Sequence, residues 1–289
     1  MFMRKRFLAV AVASLLLVAC GTTVAKVATT PLPTINAPAR PATLVQYCVD
    51  DTGSFDRQYF HQANDLVAQN LTNAVLPNSQ GLTLYATAIT SDTAKSENTL
   101  PAFVIPPTGQ PPAFPSLTPT PTPGDTDSFN AGAVKTKIDG ANSKQIADYN
   151  QQMQDYVNSL QSAQTKVTQD AGRLHSWNPP VDARATSVFG CLALAQQRFE
   201  GASGKKYLVI ASDMANNTCV DCVGLNLRGV KVHVIFFKSN NAVEAQQKQD
   251  YWQGIFSQAE VRASDVKFDD PASSQGLSAQ SKLPLFGGA

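Results

Sequence analysis

Apolar runs and stretches of helical period alternate along this chain, and that alternation constrains the fold more than any other feature. Residues 44–49 are a compact apolar run with β-branched and aromatic members, ended by Asp50-Asp51-Thr52-Gly53-Ser54. Such a run predicts a buried strand that leads into a loop. Phe55, Tyr59, Phe60, Leu66, Val67 and Leu71 then recur at helical spacing before Pro77 and Asn78, and residues 82–89 predict a second strand. Ile146, Tyr149, Met153, Tyr156, Leu160, Ala163, Val167 and Leu174 keep a 3-4 spacing, which predicts a long amphipathic helix over residues 141–175. Its flanking positions are mostly Gln, Asn and Ser rather than paired charges, so it is expected to pack within its own chain rather than in a coiled coil. A further helix is expected from near Thr186 through Cys191, Leu194 and Phe199, with residues 201–206 closing it. Residues 207–212 and 230–237 predict strands separated by a short loop and helix; residues 242–259 predict a helix and Val266-Lys267-Phe268 a last strand. This alternation predicts an α/β fold over residues 44–270, a doubly wound, mostly parallel sheet flanked by helices.

Two segments stand outside that pattern because of proline. Four prolines fall between residues 31 and 41 and nine between 101 and 123, out of 18 in the chain. Proline cannot donate to a regular ladder, so residues 101–130 are expected to form an exposed, disordered insertion. Residues 271–289 are expected to be a flexible C-terminal tail.

At the amino end, Arg4-Lys5-Arg6 precede a twelve-residue apolar run at 7–18, followed by Ala19-Cys20-Gly21. The run is too short for a permanent membrane span and reads as a secretory signal peptide over residues 1–19. Leu17-Val18-Ala19-Cys20-Gly21 resembles the lipobox of bacterial lipoproteins. That resemblance implies a diacylglyceryl group on the Cys20 thiol, cleavage before Cys20, and a flexible tether over residues 20–43. Two acyl chains anchor stably where one is marginal. The expected location is the cell membrane or outer envelope, lipid-anchored on the extracytoplasmic side.

With three of the 23 basic residues in the signal, 20 face 22 acidic residues in the remainder. That balance argues against nucleic acid as the partner, since phosphate binding needs a clustered basic face. Cys48, Cys191, Cys219 and Cys222 remain after Cys20. Cys219-Val-Asp-Cys222 lacks the strand-to-helix setting of a redox motif and reads as a structural disulfide or two free thiols; an oxidising compartment favours the local disulfide. The pattern leaves the state of Cys48 and Cys191 open.

Ligands of such sheets sit beyond the carboxyl ends of the strands. Asp50, Thr52 and Ser54 follow one such end and Asp213 another, offering hard oxygens suited to Mg²⁺ or Mn²⁺. In Asp50-x-Thr52-x-Ser54, in Thr186 within Ala-Thr-Ser-Val-Phe-Gly, and in Leu-Val-Ile-Ala-Ser-Asp ending at Asp213, the chain resembles a von Willebrand factor type A domain. The resemblance spans residues 44–270, with 91–180 matching only as helix plus insertion. It implies a vWA-type, Rossmann-like fold and a metal-ion-dependent adhesion site, or MIDAS. There Thr52 and Ser54 ligate the metal, while Asp50, Thr186 and Asp213 act directly or through water. Thr52 stands where Ser is commoner, and Met214 where Gly usually follows the Asp.

The function expected from this is a membrane-anchored module that binds a protein or other macromolecule offering a carboxylate to the metal, and no catalysis. The alternative is a structural envelope lipoprotein that uses the fold without metal. Asp51-Thr52-Gly53-Ser54 also matches the string of aspartic proteases, but no second copy exists to pair two carboxylates. No Gly-x-Ser-x-Gly, Walker loop or His-Glu-x-x-His occurs, and His61, His175 and His233 are dispersed.

Overall fold

The computed structural model describes residues 42–75, 79–120, 130–179, 185–215, 224–269 and 285–286. Six strands build one sheet: β1 (Thr43–Asp50), β2 (Leu82–Ile89), β3 (Phe103–Ile105), β4 (Lys205–Ala211), β5 (Val230–Ile235) and β6 (Val266–Asp269). Their order is β3-β2-β1-β4-β5-β6, with every pairing parallel except the antiparallel β2–β3 edge. Four helices, α1 (Arg57–Thr72), α2 (Ala131–His175), α3 (Val188–Phe199) and α4 (Ala242–Gln258), connect and flank it. The protein is therefore an α/β fold with a mixed, mostly parallel sheet.

Both faces of the central strands are covered, which is why the strand sequences read as continuous apolar runs rather than alternations. Val45, Tyr47 and Val49 of β1 enter the core on the side of α1 and the end of α2, with Phe60, Val67, Leu71, Val167 and Leu174. Cys48 of β1, with Leu208 and Ile210 of β4, enters the second core, which α3 and α4 close with Leu192, Phe199, Trp252 and Phe256. A disulfide joins Cys48 in β1 to Cys191 in α3, both buried.

The structure corrects four expectations. The insertion at 101–130 contributes β3: Phe103 and Ile105 are buried while Val104 between them is exposed. An edge strand tolerates flanking prolines because only one side needs donors, so Pro101 and Pro106 do not prevent it. Residues 106–120 then follow α2, with Thr118 and Asn142 exchanging hydrogen bonds of 3.0 and 2.8 Å and Phe114 set edge-on to Tyr149. Secondly, α2 begins at Ala131, ten residues before the expected start at 141. Its first part is exposed and carries no apolar period; pairs such as Lys135–Asp139 and Lys144–Asp148 lie along it instead. Only Ala163, Val167, Asp170 and Leu174 of its 45 residues are buried, so most of α2 extends away from the core. Thirdly, α3 starts at Val188 with Ser187 as its cap, leaving Thr186 in the chain that leads in.

The fourth correction concerns the tail. Leu285 and Phe286 are buried in the α1-side core, and the Leu285 amide donates to Asn70 Oδ1 at 3.0 Å. An isolated apolar pair has no period and so leaves no sign in the sequence. Phe286→Ala is expected to cost about 3–5 kcal/mol, the range for a truncated buried aromatic, read as a lower urea midpoint with unchanged slope. A midpoint within error of wild type would show that the pair contributes no packing. The expected helix between β4 and β5 does not occur at residues 213–215 or 224–229; the remainder of that connection, with Cys219 and Cys222, lies outside the described residues, as do Cys20, the signal peptide and the tether up to residue 41.

Candidate metal centre

The strand order reverses at β1, between β2 and β4, so the carboxyl ends of β1 and β4 open side by side. Register then decides which side chains meet. Val49 pairs with Ala211, which sets Asp50 across from Ser212 as both strands end. Asp50 is fully buried: its Oδ1 accepts from the Thr52 amide at 3.1 Å and the Thr52 hydroxyl at 2.7 Å, and its Oδ2 accepts from Ser212 Oγ at 2.7 Å.

The oxygens continue outward. Thr186 Oγ1 donates to Thr52 Oγ1 at 2.9 Å, and Thr52 Oγ1 lies 3.2 Å from Ser54 Oγ. Four of the five expected residues thus form one hydrogen-bonded group running from the buried Asp50 to the exposed Ser54. Asp213 is the fifth. Its negative charge acts on Asp50, while its own Oδ1 accepts from the Ala215 amide at 2.9 Å in a tight turn. Ser212, invisible to a motif search because any strand can end in serine, proves to be a direct partner of Asp50.

Supporting contacts hold these loops. Thr186 is positioned through its neighbour: the Ser187 amide donates to the Thr90 carbonyl at 3.0 Å, and Thr93 Oγ1 donates to the Ser187 carbonyl at 3.1 Å. Gly190 lets the first turn of α3 press on this loop, since a Cβ there would meet Thr93 at 3.0 Å. On the β4 side, Lys248 Nζ donates to the Asp213 carbonyl at 2.9 Å, and Met214 adopts a left-handed φ of 59°. A non-glycine residue in that region is uncommon. Met214 is kept there by its amide bond to Ser212 Oγ at 2.8 Å, by Trp252 Nε1 donating to its carbonyl at 3.0 Å, and by burial of its side chain.

Electrostatics single out Asp50. Burial is the largest influence and pushes its pKa up to about 6 from 3.8; hydrogen bonds from Ser212 and Thr52 pull it down, and the charge of Asp213 raises it. A carboxylate with so little water around it is starved of positive charge. Next to it, Asp51 is buried and ion-paired with Arg57, so the Asp-Thr-Gly-Ser string presents no second carboxylate pair of the protease kind.

The donor set fits a hard divalent cation. Among the described residues no three His, Cys, Asp or Glu side chains gather to hold a metal by themselves, so a cation here would rest on carboxylates together with hydroxyls. Among those residues no helix is long and apolar enough to cross a membrane.

No protein-family model matches the chain, and no curated protein matches it in sequence. Among solved structures, the open conformation of the pilus adhesin SpaC from Lactobacillus rhamnosus GG is similar at 11% identity and a TM-score of 0.39, covering 84% of this chain and 29% of that one. A second structure of the same adhesin gives 10% identity and a TM-score of 0.41 over the same shares. The chain thus spans less than a third of the length of these two structures.

Proposed function

We propose that this protein is a von Willebrand factor type A, Rossmann-like binding module, anchored by lipid at Cys20 outside the cytoplasm, which engages a macromolecular partner through Mg²⁺ or Mn²⁺ at a MIDAS-like site. The observation that carries the reading is the continuous group of oxygens from Asp50 through Thr52 to Thr186 and Ser54, drawn from two loops far apart in sequence. Asp50 and Asp213 would supply charge and Thr52, Ser54 and Thr186 neutral oxygen. A cation held this way keeps excess positive charge, which favours a carboxylate from the partner.

The Cys48–Cys191 disulfide supports the extracytoplasmic placement, since such bonds persist in oxidising compartments. The metal-free structural lipoprotein is the second reading, and the turn that engages the Asp213 carboxylate favours it. Cys20→Ser is expected to abolish labelling by a fatty-acid analogue, and continued labelling would defeat the anchor. Retention on isolated envelopes of the unlipidated chain, expressed without residues 1–20, is expected to need Mg²⁺ and to be lost on chelation and in Thr52→Val. Retention indifferent to chelator would favour the metal-free reading.

A further inference from the structure

Beside the oxygen group lies a charged pair that none of the expected ligands explains. The Asp51 side chain is 1% exposed, and its carboxylate is ion-paired with the Arg57 guanidinium. Its compensation is Arg57, the first residue of α1, whose side chain is about one-third exposed. A carboxylate buried this deeply is costly without a paired charge, so the arrangement persists only because the cation is fixed in place.

What fixes Arg57 is the chain leaving α2. Its guanidinium also bonds the Asn178 side chain and the Pro179 carbonyl, and stands 4.3 Å over the Phe60 ring. Trp177, just before Asn178, packs against Phe60 at 5.9 Å. One cation therefore joins the loop bearing Asp50, Thr52 and Ser54 to the chain leaving α2.

We propose that Asp51 and Arg57 are positioning residues of the metal centre, a clasp that holds the Asp50–Ser54 loop and ties it to the end of α2. The proposal rests on the metal reading of the oxygen group. A guanidinium suits the task because its planar fork serves a carboxylate and two carbonyl-type oxygens at once, which an ammonium cannot do with the same geometry. A force applied to the exposed length of α2 reaches the site through Asn178 and Pro179.

The test uses the mature chain with Arg57→Gln, Arg57→Lys, Asp51→Asn and the Asp51→Asn/Arg57→Gln pair, each measured well below its melting temperature. Mn²⁺ affinity by titration calorimetry is expected to fall about 10- to 100-fold in Arg57→Gln and Asp51→Asn, the range for outer-shell partners of metal ligands. The double variant is expected to be no worse than the worse single, since both break one clasp, and Arg57→Lys to be intermediate. Hydrogen exchange at the Thr52 amide, which donates to Asp50 Oδ1, measured without metal, is expected to rise at least about tenfold in Arg57→Gln, because freeing that amide requires only local opening. If wild type binds no Mn²⁺ but exchange responds as stated, the clasp stands and the metal reading falls. Wild-type affinity and wild-type exchange in Arg57→Gln, even with a lowered melting temperature, would overturn the clasp and leave the pair as packing alone.

Discussion

Replacing Asp50 by asparagine is expected to erase both the metal response of this protein and most of its acid-side pH dependence. The folded-state pKa of Asp50 is about 6, above its ordinary 3.8, so the native state holds the proton more tightly than the unfolded chain. Its contribution is then fully present below about pH 4, is lost as pH rises from 4 to 6, and stays lost above that. Two pKa units correspond to about 3 kcal/mol. The metal-free protein should therefore be more stable at pH 4.5 than at pH 7 as far as this group is concerned. A divalent cation reverses the order, because it binds the ionised form: added Mg²⁺ should raise the melting temperature at pH 7 and have little effect near pH 5. In Asp50→Asn the neutral amide occupies the same buried position, so both the metal-induced rise and the 4-to-6 slope should disappear. Thermal scans across pH with Mg²⁺ or chelator check this. A wild-type profile unchanged by Asp50→Asn would show that the carboxylate carries neither effect.

The second large effect is expected from the disulfide. Cys48 and Cys191 close a loop of 143 residues, for which the chain-entropy relation gives about 5 kcal/mol of stabilisation at room temperature. The bond also has a local role. Cys48 lies two residues before Asp50, and Cys191 lies in the first turn of α3, five residues after Thr186, so the covalent link spans the floor beneath the oxygen group. Cys48→Ala/Cys191→Ala is expected to lose several kcal/mol in urea unfolding and, where still folded, to bind metal more weakly. Joined to each other, the two cysteines should stay unalkylated in the folded and the unfolded protein until a reductant is added. Alkylated Cys48 or Cys191, located by peptide mapping of the unreduced protein, would contradict the bond.

The strands that build the site were legible because a central parallel strand must be apolar on both faces: residues 44–49 and 207–212 announce β1 and β4 and, at their ends, Asp50 and Asp213. Thr186 was legible only through a family pattern, since nothing about a lone threonine before a helix marks it. Other parts depend on contacts that no local rule encodes. The Cys48–Cys191 pairing joins positions 143 apart, and cysteine spacing does not reveal connectivity. Three residues between prolines are too short to show the alternation that makes Phe103–Ile105 a strand. Ser212 becomes a partner of Asp50 only through the register of β1 on β4. Asp51 and Arg57 look like ordinary loop charges until burial of the carboxylate sets them apart.

In the proposed metal centre the oxygens of Asp50, Thr52, Ser54, Thr186 and Asp213 hold one divalent cation. Titration of Mn²⁺ into wild type, Asp50→Ala and Asp213→Ala at pH 7 tests it most directly. Saturable binding of one ion by wild type is predicted, with no saturable heat in Asp50→Ala and at least about tenfold weaker binding in Asp213→Ala. Equal heats from all three proteins, or none from wild type, would contradict the claim.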